Sequence, residues 1–260
     1  MYFKRWLLRA LVLVSLITVI LVACNKSESI SDDNYFGGKV MILGHRGMGI
    51  SYYKPGNTLD AILPVIGIGA DGSEMDIQMT RDSVLVIYHN DELDQITTCS
   101  GRIYEQNWAQ IKQCKYYALQ NMIFINSVDD LFRNIPHLTN YYFSFDCKID
   151  QTVVDIESYK ATYLRAIKRI CDKYEMSNNV FIEGDDDLLS KAQQLGLTNK
   201  LCMNTGLTQE TINTAYNHHF FGISTSIDLL DLVDNAHQKG LYIMAWSPGN
   251  FSENKMTLAK

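Results

Sequence analysis

The stretch SEMDIQMTRDSVLVIYH, residues 73–89, contains two strand-like runs separated by a very short connection. The runs cover residues 73–78 and 84–89, so only residues 79–83 lie between them. A crossover helix needs about a dozen residues or more, so this pair is predicted to form an antiparallel hairpin. Glu74 and Asp76 are two residues apart, and such side chains on a strand point to one face. One divalent cation can therefore bind both carboxylates.

Strand-like and helix-like segments alternate along the rest of the chain. Further strand-like runs occupy residues 40–43, 141–149, 180–183, 201–203, 220–225 and 241–246. Helical periodicity covers residues 58–67, 127–134, 155–174, 186–195, 208–217 and 226–239, with Asn57 and Ser127 as predicted N-caps. This alternation predicts a parallel α/β barrel of the TIM type. Because the hairpin takes up two runs, the number of barrel strands falls one short of eight.

Chemistry in such barrels gathers at the C-terminal ends of the parallel strands. The ionisable residues at or near the ends of the runs are His45, Glu74, Asp76, His89, Asp146 and Lys148. We expect the carboxylates to surround one cation, with a histidine on either side placed to move protons.

Composition indicates one domain and argues against a nucleic-acid-binding protein. The 260 residues are 47% hydrophobic, enough for one sizeable core, and the net charge of −6 gives no general attraction to nucleic acid. We therefore expect no nucleic-acid partner.

The first 24 residues have the pattern of an export signal. A cationic stretch precedes a nearly uninterrupted apolar run from Leu11 to Val22, and Cys24 closes the segment. The ending resembles the lipobox of bacterial lipoproteins, which implies acylation of Cys24 and attachment to a bacterial membrane on its outer side. A plain signal anchor is the alternative, although the run is short for a spanning helix. Residues 25–38 are predicted to be a flexible tether, and residues 39–260 the barrel domain.

Five cysteines would remain after export: Cys99, Cys114, Cys147, Cys171 and Cys202. An odd number cannot pair completely within one chain. Cys99 and Cys114 flank a segment short enough to be bridged, but the scattered spacing favours buried small side chains over a disulfide framework.

Several ordered motifs between residues 40 and 250 resemble the glycerophosphodiester phosphodiesterase family, whose fold is a TIM-type barrel. They are Gly44-His45-Arg46-Gly47, Asn57-Thr58-Leu59-Asp60-Ala61, Glu74-Met75-Asp76, Val86-Ile87-Tyr88-His89, Phe145-Asp146-Cys147-Lys148 and Ala245-Trp246-Ser247. The resemblance implies hydrolysis of a glycerophosphodiester to glycerol 3-phosphate and an alcohol.

The resemblance also implies roles for individual residues. His45 corresponds to the proton acceptor and His89 to the proton donor. The implied cation ligands are Glu74, Asp76 and Asp146, and oxygen ligands favour Mg²⁺ or Ca²⁺. The implied substrate contacts are Arg46, Lys148 and Trp246.

Four features depart from the family pattern. Gly56 replaces the usual Glu, Asn90 replaces the Asp that usually follows the second histidine, and Asp146 stands where Glu is common. Family members also continue through one more helix and strand after the region of Trp246, whereas this sequence stops at Lys260. Together with the strand count, this predicts a truncated sequence and an unclosed barrel.

These departures leave two other functions open. One is a phospholipase or lyase that acts on intact lipid headgroups, which a lipoprotein at a membrane surface can reach. The other is a degenerate barrel that binds phosphorylated ligands without catalysis.

Overall fold

The computed structural model describes residues 33–49, 54–118, 122–229 and 231–246. The chain divides into two compact units, Met1–Val40 and Met41–Lys260. In the first unit, residues 33–40 form a turn closed by an antiparallel bridge between Asp33 and Lys39. The predicted export signal and most of the predicted tether lie outside the described residues. Within the described ranges, no helix combines the length and the apolar character needed to cross a membrane.

The second unit is built on one curled sheet. Its strands are β1 (Leu43–Gly44), β2 (Gly72–Met79), β3 (Leu85–Ile87), β4 (Tyr142–Cys147), β5 (Val180–Gly184), β6 (Lys200–Asn204), β7 (Gly222–Ser226) and β8 (Tyr242–Trp246). Seven of them pair in the order β1-β2-β4-β5-β6-β7-β8, and each of these pairs is parallel. β3 pairs with β2 and runs antiparallel to it, which confirms the predicted hairpin.

The sheet does not close in the part of the chain that the structure describes. β1 and β8 stand at its two ends and are not hydrogen-bonded to each other there. Seven parallel strands confirm the sequence-based count, and the architecture is that of an incomplete TIM-type barrel. The predicted truncation concerns the region after Trp246, which lies outside the described residues.

The helices occupy the connections between parallel strands. They are α1 (Leu59–Gly67), α2 (Trp108–Ile111), α3 (Val128–Asn134), α4 (Ile156–Tyr174), α5 (Asp186–Gln194), α6 (Gln209–Asn217) and α7 (Val233–Gln238). Ser127 caps α3 as predicted, because its side chain accepts a hydrogen bond from the Asp130 amide. The prediction for Asn57 is wrong: Thr58 caps α1 and accepts from the Ala61 amide.

The two faces of the sheet differ sharply in polarity. Met75, Ile77, Phe143 and Phe145 are fully buried and belong to the main apolar core, together with residues of the helices. The alternate positions on the same strands carry the acidic residues, because side-chain direction on a strand has a period of two. The core therefore lies between sheet and helices, and the opposite face is left for charged groups.

Residues 88–118 and 122–126, which follow β3, form an insert with its own small core. Its buried apolar cluster contains Val86 of β3 and the insert residues Tyr88, Leu93, Ile103, Ile111, Cys114, Tyr116, Ile123 and Ile125. A disulfide joins Cys99 to Cys114, whose Cα atoms lie 5.4 Å apart. The preference for unbridged cysteines is therefore wrong for this pair, because the bridge between Thr97 and Tyr116 brings the two segments side by side. Cys171 and Cys202 are free and buried, as expected.

Candidate active site

The loop after β1 carries the first predicted site residues and packs tightly on α1. Arg46 and Gly47 both adopt left-handed backbone conformations, with φ of 53° and 78°. A Cβ atom on Gly47 would lie 2.6 Å from the carbonyl carbon of Ala61, so only glycine fits here. The Gly47 amide donates a hydrogen bond to Ser73 Oγ at 3.0 Å, which ties the loop to β2. His45 and Arg46 are thus held next to the acidic residues of that strand.

Three carboxylates of β2 and β4 meet on one face of the sheet, beyond the C-terminal end of β1. Asp76 and Asp146 are partners in the β2–β4 register, and Glu74 lies on the same face as Asp76. Glu74, Asp76 and Asp146 each offer one oxygen, and these oxygens all lie within 4.8 Å of one another. A hard cation binds oxygen ligands at about 2.0–2.6 Å, so ligand atoms on opposite sides of it lie about 4–5 Å apart. The donor set therefore fits Mg²⁺ or Ca²⁺.

Two basic side chains balance much of this negative charge. Arg46 Nε lies 2.9 Å from Asp76 Oδ2, an ion pair without the angle of a hydrogen bond. Lys148 Nζ lies 2.5 Å from Asp146 Oδ2 and 3.3 Å from Asp76 Oδ1. The Arg46 backbone amide donates to Glu74 Oε2 at 2.9 Å. Each carboxylate thus has a positively charged or N–H partner.

Burial and mutual repulsion shift the titration of the buried acids. Burial raises the pKa of Glu74 well above its usual value, and the neighbouring charges of Asp76 and Glu183 raise it further. Glu183 is buried on β5 beside Asp146 in the register, and its carboxylate accepts a hydrogen bond from the Ser144 hydroxyl. Burial raises the pKa of Glu183 as well. A positive charge placed close to this face, from a cation or a basic side chain, would therefore stabilise the ionised carboxylates.

His45 lies at the solvent-exposed edge of this cluster. Its side chain is 52% exposed, and Nε2 lies 3.8 Å from Glu74 Oε2. Partial burial lowers the pKa of His45, and the nearby Arg46 and His89 charges lower it further, although Asp76 and Asp146 oppose this shift. A neutral imidazole at neutral pH is the form that can accept a proton.

His89 follows β3 and is oriented by its neighbours. Its Nδ1 lies 2.9 Å from Asn90 Oδ1, and the Asn90 amide donates to Gln95 Oε1 at 2.7 Å. Gln78 Nε2 donates to the carbonyls of Tyr88 and Asn90, on either side of the histidine. Asn90 thus still orients the ring by accepting a hydrogen bond, but as a neutral group.

Asn57 was predicted to be a helix N-cap, but its side chain belongs to the candidate site. It adopts a left-handed conformation, φ 63°, and is only 2% exposed. Its amide nitrogen donates to Asp76 Oδ2 at 2.7 Å, and its oxygen accepts from the Asp76 amide at 3.0 Å. This pair of bonds fixes the orientation of the Asp76 carboxylate. The sequence carries no distinguishing signal for this role, because an Asn directly before a helix is equally typical of an N-cap.

Two further positions bear on the predicted site. A Cβ atom on Gly56 would lie 2.7 Å from the Gly49 carbonyl oxygen and 2.9 Å from Arg46 Cβ, so the loop leaves no room for the missing carboxylate. Trp246 ends β8 and its side chain is 44% exposed. Its predicted contact with substrate remains a prediction.

Fold and site together define an α/β protein of the TIM-barrel type, with an acidic site on one face of its sheet. The model of the glycerophosphoryl diester phosphodiesterase family matches residues 45–259. The chain therefore belongs to this family.

Relatives and solved structures agree with the assignment. A glycerophosphodiester phosphodiesterase of Caldanaerobacter subterraneus is 35% identical over 75 residues, which is 29% of this chain and 30% of that protein. The chain thus matches about three tenths of the length of such curated relatives.

Two solved structures show the same fold. A glycerophosphodiester phosphodiesterase from Agrobacterium tumefaciens superposes with a TM-score of 0.66 at 18% identity, over 81% of this chain and 88% of that one. An Oleispira antarctica phosphodiesterase, solved with the product sn-glycerol-3-phosphate, gives a TM-score of 0.70 at 17% identity, over 85% and 87% of the two chains.

Proposed function

We propose that this protein is a metal-dependent glycerophosphodiester phosphodiesterase that releases glycerol 3-phosphate and an alcohol. The observation that carries the proposal is the cluster of Glu74, Asp76 and Asp146, whose oxygens converge within 4.8 Å in a chain of this family. His45 at the solvent-exposed edge of the cluster and His89 on the adjoining segment provide groups for proton transfer.

The three carboxylates are the proposed ligands of one divalent cation, Mg²⁺ or Ca²⁺. Such an ion, when bound, polarises a phosphoryl oxygen and offsets negative charge that develops there. Arg46 and Lys148 lie against the same carboxylates and would contact the phosphate oxygens from the sides. Trp246 would line the substrate pocket at the end of β8.

The two histidines divide the proton transfers between them. His45 removes the proton from the attacking hydroxyl as the new P–O bond forms. His89 gives its proton to the departing oxygen as the P–O bond to the alcohol breaks. When the attacker is the neighbouring glycerol hydroxyl, a cyclic phosphate results, and the histidines exchange roles while water opens it. The lowered pKa of His45 favours its neutral form, the one that accepts the first proton.

Single substitutions test these roles. His45→Ala and His89→Ala should each lower turnover of glycerophosphocholine by at least about a hundredfold, the usual contribution of a general acid or base. Calorimetric titration with Ca²⁺ should show little change in affinity, because neither histidine is a proposed ligand. His219→Asn is the matched control. His219 precedes the N-terminal end of β7, and its φ of 55° is one that Asn tolerates. Wild-type turnover in either alanine variant contradicts the proposal.

Removal of the cation tests the metal requirement. Chelation should abolish turnover, and addition of Mg²⁺ or Ca²⁺ alone should restore it. Full activity after exhaustive chelation contradicts a metal-dependent reaction. The same assay on phospholipid vesicles separates this activity from a phospholipase or lyase.

We also propose that the protein is exported and anchored through acylated Cys24. The support is the apolar segment that ends at this cysteine. Expression in a bacterium fed labelled palmitate should label the wild-type chain and not Cys24→Ala. Equal labelling of both chains contradicts the anchor.

A further inference from the structure

A cavity of about 200 Å³ adjoins the acidic cluster on the side of the insert. Its lining residues are Gln78, Asp91, Asp146, Cys147, Lys148, Ile149 and Asp150. Asp146 and Lys148 belong to the candidate active site, so the cavity opens directly beside the proposed cation. Pockets for drug-sized ligands occupy about 300–1,000 Å³, so this one suits a smaller group.

The position of His89 identifies the part of the substrate that would enter this cavity. Gln78 lines the cavity and donates to the carbonyls on either side of His89, and Asp91 lies two residues beyond it. His89 is the proposed donor of the proton to the departing alcohol. The alcohol must therefore leave on the His89 side, where the cavity lies.

The walls of the cavity are fixed by contacts between the insert and the loop after β4. Arg102 Nη1 lies 2.5 Å from Asp150 Oδ2, and Arg102 Nη2 lies 3.2 Å from Glu92 Oε1. Tyr104 Oη lies 3.0 Å from Thr152 Oγ1. These contacts join the segment that carries His89 to the one that carries Lys148.

Among the carboxylates that line the cavity, Asp91 differs in having no ion pair within 4 Å to any described side chain. Lys148 pairs with Asp146, and Arg102 pairs with Asp150. Asp91 is exposed, and Arg102 acts on it only through a longer-range electrostatic interaction. An alcohol that carries a positive charge would supply the missing partner.

We propose that this cavity is the subsite for the alcohol half of the substrate, and that Asp91 makes it prefer an alcohol bearing an amine or quaternary ammonium group. The inference rests on the phosphodiesterase function proposed above. One exposed carboxylate paired with one cation changes an affinity up to about fivefold. Screening by salt should weaken the preference.

The test compares kcat/KM for glycerophosphoethanolamine, whose alcohol is cationic, with kcat/KM for glycerophosphoglycerol, whose alcohol is neutral. The full-length protein loaded with Mg²⁺ or Ca²⁺ should favour the first substrate. Asp91→Asn should lower the ratio by about 1.5-fold to fivefold, and Asp91→Lys should lower it further. Asp94→Asn is the control, because Asp94 is an exposed acid on the same insert that does not line the cavity. Its ratio should equal that of the wild type.

The outcomes distinguish failure of the subsite proposal from failure of the phosphodiesterase proposal. Activity with a ratio that neither Asp91 variant changes, or that Asp94→Asn changes equally, overturns the subsite and leaves the phosphodiesterase function standing. A wild-type ratio that does not move between low and high salt also overturns it. If neither substrate is hydrolysed with either cation, the phosphodiesterase proposal fails, and the subsite proposal fails with it.

Discussion

Replacement of Asn57 by alanine should both destabilise the protein and weaken cation binding. Asn57 and Asp76 exchange two hydrogen bonds, 2.7 Å and 3.0 Å long, and are 2% and 1% exposed. Water therefore has little access to replace the lost partner. Alanine would leave one oxygen of a buried carboxylate and one buried amide without these bonds.

The size of the effect follows from three contributions. Loss of a hydrogen bond to a charged group costs about 1.5–3 kcal/mol, and a buried amide left unsatisfied costs about 1–3 kcal/mol. Alanine at a φ of 63° adds about 1 kcal/mol, because a Cβ without a local hydrogen bond disfavours this conformation. Together these contributions amount to about 5 kcal/mol. In a chain of this size such a loss should lower Tm by roughly 10–20 °C.

Urea unfolding of the chelated protein measures the stability, and calorimetric titration with Ca²⁺ measures the affinity. We expect affinity to fall about tenfold or more, as when other residues that orient a metal ligand are lost. Asn57→Gly should be about 1 kcal/mol more stable than Asn57→Ala, because glycine adopts positive φ freely. Asn213→Ala, an exposed change on α6, should stay within about 0.5 kcal/mol of wild type. A stability loss below about 1 kcal/mol in Asn57→Ala would refute the reasoning.

Three further outcomes follow from other contacts. Reduction of the disulfide between Cys99 and Cys114, which closes a loop of 15 residues, should destabilise the insert by about 3 kcal/mol; an unchanged thermal melt with reductant contradicts this. Burial alone would raise the pKa of Asp150, but hydrogen bonds from Thr152 and Arg102 outweigh burial and lower it. The Asp150 contribution to stability should therefore be complete at neutral pH and lost below about pH 4, as this group becomes protonated in the folded state. Urea unfolding should show the difference between wild type and Asp150→Asn shrinking between pH 7 and pH 3; a constant difference contradicts the assignment. Lys148→Met should make the chelated protein less stable and increase the rise of Tm on addition of Ca²⁺, because the carboxylates lose a counterion; equal rises in variant and wild type would show that Lys148 does not balance them.

The architecture was predictable because the strands and helices follow two simple periods. The gap at residues 79–83 could not hold a crossover helix, and the hairpin of β2 and β3 follows from that length alone. Element ends were less predictable: the run at residues 40–43 became a strand at Leu43–Gly44. The insert was not predicted as a unit, because its helices are a few residues long and its core depends on contacts distant in sequence.

Part of the acidic site was equally predictable. Glu74 and Asp76 share a face by the period of two, and the position of Asp146 follows from parallel pairing with β2. The role of Asn57 in the site was not predictable, because an Asn before a helix has the same sequence signature whether it caps the helix or turns toward a neighbouring strand. Glu183 is a single acid in an otherwise apolar strand, and only the register beside Asp146 shows that it faces the cluster.

Arg46 and Lys148 explain how such an acidic cluster can be part of a stable fold and still serve an anionic substrate. Three carboxylates packed this closely repel one another, and burial of the Glu74 charge adds to the cost. The two basic groups offset that repulsion through contacts of 2.9 Å and 2.5 Å. The same groups are the proposed contacts for phosphate, so their charge has two competing partners. A divalent cation among the carboxylates would replace the basic groups as counterion and leave their positive charge to the phosphate. Binding of the cation and of the anion should therefore favour each other, with Arg46 and Lys148 as the shared elements.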